Sequence, residues 1–107
     1  MNSGDMNLSV VHGVLLEGDL GLSLIELGRA CGAGSHFLIE LVDEGVLSPS
    51  GDDRQAWRFS SLALRRAHRA TRLVRDLELS VAGVALVMDL LERIDALDAR
   101  LRLARGS

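Results

Sequence analysis

Ser23 to Gly45 reads SLIELGRACGAGSHFLIELVDEG, and this stretch decides the fold. Ser23 precedes an apolar-periodic run with Glu26 three residues on, the capping-box spacing in which each side chain satisfies the other's orphan amide. A helix from Leu24 to Cys31 follows. Gly32 and Gly34 then break the chain, Ser35 is placed to cap a second helix from His36 to about Glu44, and Gly45 closes it. Two short helices joined by a tight glycine turn form a helix-turn-helix over residues 23–45.

Downstream, Val46 to Ser60 reads VLSPSGDDRQAWRFS, a Pro-Ser-Gly-Asp turn between apolar flanks, which predicts a small β-wing over 46–59. Ser60 or Ser61 starts a third helix over 61–79, and Ser80 caps a fourth over 81–104. Upstream, LSVVHGVLL is β-branched and partly alternating, which predicts a short N-terminal strand over 8–16. The expected architecture is mainly α: one winged helix-turn-helix domain covering 1–107, ending in a long helix. Val87, Leu90, Ile94, Leu97, Leu101 and Ala104 recur at alternating steps of three and four along that helix, a heptad seam. The seam either meets a copy of itself in a homodimer or forms an intramolecular core face.

The chain of 107 residues is one domain's worth, with 48% apolar and 25% charged residues and few aromatics, a composition that favours helices. Its single cysteine, Cys31, excludes an intramolecular disulfide and is read as a small buried hydrophobe. The opening residues lack the pattern of an export signal, and no window is apolar enough to span a membrane, so a cytoplasmic protein is expected. The three histidines have no metal-ligand spacing, and no phosphate loop, nucleophile elbow or acid–base carboxylate pair occurs. Neither cofactor nor metal is expected, and the chain is read as a binder rather than an enzyme.

Charge is distributed unevenly. Glu40, Asp43, Glu44, Asp52 and Asp53 outweigh Arg54 and Arg58 in the elements that would face DNA in a winged helix-turn-helix. The second helix supplies no Arg, Lys, Asn or Gln to read base edges, and its acids would meet phosphate. Those acids are either a partner-binding surface or screened, solvated charge. The third helix carries Arg65, Arg66, Arg69, Arg72 and Arg75, either a phosphate-binding stripe or a face paired with acids of a neighbouring helix. Trp57 either packs back on the core or anchors an interface.

The ordered set LIELGRACG, HFLIELVDEGVLSP, WRFS and LELSVAGVALVMDLLERIDALDARL resembles the CbpM-type chaperone modulators of the MerR-like superfamily, over roughly Val10 to Leu103. The most specific parts are VDEGVLSP, the Trp57–Phe59 pair and LSVAGVALVMDLLERI. The resemblance implies a cytoplasmic dimer that binds the J-domain of a CbpA-type DnaJ homologue and inhibits its co-chaperone activity by occluding the basic DnaK-facing surface; DNA binding by that homologue is a second activity it could affect. Against such a basic surface, Glu40, Asp43 and Glu44 are the expected contacts, then Asp52 and Asp53, with Phe37, Leu41 and Trp57 as apolar neighbours. MerR regulators carry an Arg-Tyr-Tyr-like run in the second helix and a basic wing, where this chain has FLIELVDEG. That departure counts against the alternative, a DNA-binding regulator of the heat-shock repressor type.

Overall fold

The computed structural model describes residues 21–106; the strand expected over 8–16 lies outside them. Four helices follow in order: α1 (Leu24–Cys31), α2 (Ser35–Asp43), α3 (Ser61–Leu77) and α4 (Val81–Gly106). The capping box of α1 is formed in both directions. The Ser23 amide donates to Glu26 Oε1 at 2.9 Å, and the Glu26 amide donates to Ser23 Oγ at 3.2 Å. The bond from the Ser23 amide to the carboxylate, supported by the Ser23 hydroxyl, holds the Glu26 pKa below its ordinary value.

The helix-turn-helix turn depends on two glycines for different reasons. Gly32 ends α1 in the left-handed region at φ 67, where a Cβ is penalised. Gly28 lies against the turn itself, since a Cβ there would come within 2.7 Å of the Ala33 carbonyl oxygen. One expectation is corrected here. Gly34, not Ser35, occupies the N-cap of α2, and no side chain caps that helix. The turn is so short that the extended cap conformation falls on Gly34, and Ser35 is already helical.

Ser60 caps α3 by accepting from the Ala63 amide at 3.2 Å. This helix ends at Leu77, two residues before the sequence reading, because Glu78 adopts the left-handed conformation at φ 54. Ser80 then accepts from the Gly83 amide at 3.1 Å and starts α4. α3 lays Ala63, Leu64, Ala67 and Ala70 into the core, and its small residues admit α1 closely. Leu27, Leu38, Leu41, Leu47 and Phe59 fill the centre, each wholly or almost wholly buried. Thr71 donates to the Ala67 carbonyl, so its buried hydroxyl is satisfied.

No β-strand longer than one bridge forms among the described residues. Over the segment read as a wing, Ser50 pairs with Arg58 and its last residue, Phe59, pairs with Leu22, both antiparallel. The turn between is tied locally, with the Ala56 amide donating to Asp53 Oδ1 at 3.0 Å. Trp57 rests half-buried on the edge of Phe59, ring centroids 6.0 Å apart and nearly perpendicular.

Candidate partner-binding surface

The outward side of α2 carries the acids. Glu40 is part-exposed and lies 3.2 Å from His36 Nε2 one turn earlier, while Asp43 and Glu44 are fully at the surface where the helix ends. Two carboxylates at a helix C-terminus oppose the macrodipole, at a cost of about 0.3–1 kcal/mol each at low salt. The local fold therefore gains nothing from them. Of the apolar candidates, Phe37 is half-buried beside this face, and Trp57 keeps part of its ring exposed. Leu41 is a correction: it is 0% exposed, part of the core, and presents no surface to a partner.

Tertiary structure adds two acids that the sequence did not suggest. Glu44 shares a shallow cavity of about 280 Å³ with Asp89 and Glu92 of α4, over a floor of Val46, Ala85 and Met88. Arg66 lines the same cavity and its Nε donates to Glu92 Oε1 at 2.8 Å. Asp89 stands 45 residues beyond Glu44 in the chain, and no sequence spacing announces that juxtaposition. Asp52 and Asp53 sit at the exposed tip of the 46–59 connection, where Asp53 is engaged in its own turn.

The arginines of α3 are partly committed within the molecule. Arg66 pairs with Glu92, and Arg69 reaches Asp95 at 3.8 Å. On the wing segment, Arg58 donates to the Trp57 carbonyl at 2.8 Å.

The seam of α4 faces outward. Leu90, Ile94, Leu97 and Leu101 are each 49–55% exposed, Val87 is half-buried and Ala104 exposed. Val84 and Met88 are the α4 side chains the core encloses, so every residue from Asp89 onward is at least partly open. Cys31 is buried beside the Leu64 carbonyl, and burial pushes its thiol up to about 11. Among the described residues, no helix is long and apolar enough to cross a membrane.

Residues 22–105 match the family described as MerR HTH family regulatory protein. The chain is similar to the chaperone modulatory protein CbpM of Coxiella burnetii (strain Dugway 5J108-111), 33% identical over 97 residues, covering 91% of this chain and 92% of that one. It is also similar to the chaperone modulatory protein CbpM of Pseudomonas entomophila (strain L48), 34% identical over 76 residues, or 71% of this chain and 75% of that one. The CbpM of Pseudomonas putida (strain W619) is 38% identical over 63 residues, 59% of this chain and 62% of that one. No solved structure matches. A helix-turn-helix with an acidic second helix, matched over nearly its whole described length by one family and at 33% identity by CbpM proteins, belongs to the MerR helix-turn-helix family and, within it, to the CbpM chaperone modulatory proteins.

Proposed function

We propose that this chain is a chaperone modulator that binds the J-domain of a CbpA-type DnaJ homologue and inhibits it by covering its basic DnaK-facing surface. The observation that carries the reading is the outward face of α2, which bears Glu40, Asp43 and Glu44 and no Arg or Lys in the position a DNA reader fills with Arg, Lys, Asn or Gln. Asp89 and Glu92 lie beside Glu44, but each is held in an ion pair, Asp89 with Arg93 at 3.1 Å and Glu92 with Arg66 at 2.8 Å, so among the described residues of this face the acid without an arginine partner is that of α2. Complementary charge raises the association rate and selects the partner, while Phe37 and Trp57 supply apolar contact. Asp52 and Asp53, at the exposed turn, form the outer edge of the same interface.

The modulator acts stoichiometrically, without catalysis, in the cytoplasm and as a homodimer. Its dimer contact is the seam Val87, Leu90, Ile94, Leu97, Leu101 and Ala104, whose steps read the same from either end and so permit antiparallel pairing with a second α4. Residues 46–59 serve as the wing of this domain, shortened to a bridge and a turn.

Titration of a CbpA-type J-domain into the protein tests the reading. Binding is expected, and the triple change Glu40→Lys, Asp43→Lys, Glu44→Lys is expected to weaken it at least about tenfold, since each close charge pair is worth on the order of 1 kcal/mol or more. Absence of heat and of co-elution would remove the J-domain as partner; full binding by the triple variant would move the interface off α2. The alternative, DNA binding, draws on Arg65 and Arg72, which make no ion pair among the described residues. Retardation of duplex DNA at physiological salt would favour it.

A further inference from the structure

A second surface of opposite character lies between α3 and α4. The two helices leave a groove of about 700 Å³ that runs along α3 from Leu62 to Leu77. At 1.5 Å per residue this is roughly 22 Å, about four helical turns. Leu62, Arg65, Arg69, Arg72 and Asp76 follow one another at steps of three and four, on the side of α3 turned away from the buried Ala63, Ala67 and Ala70.

The groove combines exposed apolar surface with uncompensated positive charge. Leu62 is 46% and Leu77 60% exposed, and between them Leu73 and Met88 line the floor. Arg66 and Arg69 are neutralised by Glu92 and Asp95 across the groove, whereas Arg65 and Arg72 pair with no carboxylate among the described residues. The groove is separate from the seam of α4. Met88, Glu92 and Asp95 occupy one flank of that helix, and Leu90, Ile94, Leu97 and Leu101 fall on the opposite one.

We propose that this groove docks an acidic amphipathic helix of a protein partner, with Leu-type anchors at helical spacing between Leu62 and Leu77 and carboxylates facing Arg65 and Arg72. The length of the groove fits a helix of some four turns and exceeds what a small ligand covers, and a helix docked in a groove presents its apolar anchors at i, i+3, i+4 and i+7. In the groove only Arg65 and Arg72 are left without a carboxylate among the described residues, seven residues and about two helical turns apart, which is too sparse for a continuous phosphate backbone and matches carboxylates seven residues apart on one helix. The inference does not depend on the J-domain reading, which concerns the α2 face.

The test uses the full chain and a fluorescein-labelled peptide of about 18 residues built from Leu-Glu-Glu-Leu-Leu-Glu-Glu repeats, followed by anisotropy. The acidic peptide is expected to bind, its Lys-for-Glu counterpart to bind at least about tenfold more weakly, and the double change Arg65→Glu, Arg72→Glu to reverse that preference. All substituted side chains are exposed, and unchanged circular dichroism confirms that the variants fold. Equal binding of the acidic peptide by the parent and the double variant overturns the proposal. So does duplex DNA binding that the same variant abolishes, which assigns the groove to nucleic acid. A third overturning result is loss of self-association in Leu77→Asp, which assigns the groove to a second copy of the chain.

Discussion

Gly28 illustrates how one residue type enforces the helix-turn-helix. Its Cα lies so close to the Ala33 carbonyl that Gly28→Ala must displace backbone, and a loss of about 1–3 kcal/mol in chemical denaturation is expected. Glu78 presents the converse case, a non-glycine in the left-handed region at the C-terminus of α3. Glu78→Gly removes the Cβ clash there and is expected to stabilise the chain by up to about 1 kcal/mol, read in the same experiment. Cys31 titrates near 11 rather than its ordinary 9.0 because burial disfavours the thiolate. A thiol raised in the fold stabilises it fully below pH 9.0, and this contribution disappears as pH climbs through about 11. Alkylation of Cys31 by iodoacetamide at neutral pH is therefore expected to be slow in the native protein and to become fast only in denaturant.

Among the elements, α4 carries the greatest tension between local sequence and fold. Its first two turns are anchored by Val84 and Met88, but from Asp89 onward it extends with Leu90, Ile94, Leu97 and Leu101 half-exposed. A helix segment without a packed face is marginal in water, and four such leucine-class side chains withdrawn from solvent are worth several kcal/mol. Leu97→Asp is expected to halve the sedimenting mass by placing a charge in the seam, while leaving the α1–α3 core folded; an unchanged mass would exclude this face as the dimer contact. The α3–α4 ion pairs steer α4 more than they hold it, since exposed pairs such as Arg66–Glu92 contribute about 0.2–1 kcal/mol.

At the scale of the whole molecule, charge and apolar surface divide into three faces: acid on α2, an uncharged seam on α4, and the Arg65–Arg72 groove, with the Arg66–Glu92 pair between the first and the last. J-domain association through the acid face is expected to slow steeply as salt rises from about 0.05 to 0.5 M, with the dissociation rate changing much less, in stopped-flow measurement. A salt-independent association rate would mean that apolar contact, not this acid, selects the partner. The helix-turn-helix, its capping box and the start of each described helix within a residue were legible in the sequence, because caps and periodicity are local properties read along the chain. The acids of α2 were legible for the same reason. What neighbours each of them was not: Leu41 and Phe37 look alike in an apolar pattern, yet the packing of α1, α2 and α4 buries the first completely and leaves the second at the rim. Tertiary structure alone decided that Asp89 and Glu92 join Glu44, that Arg66 and Arg69 are spent within the molecule while Arg65 and Arg72 are not, and that the 46–59 connection closes on single bridges. Each depends on how helices distant in sequence cross, and crossing is set by the fit of side chains across the core rather than by the spacing of residues along any one element.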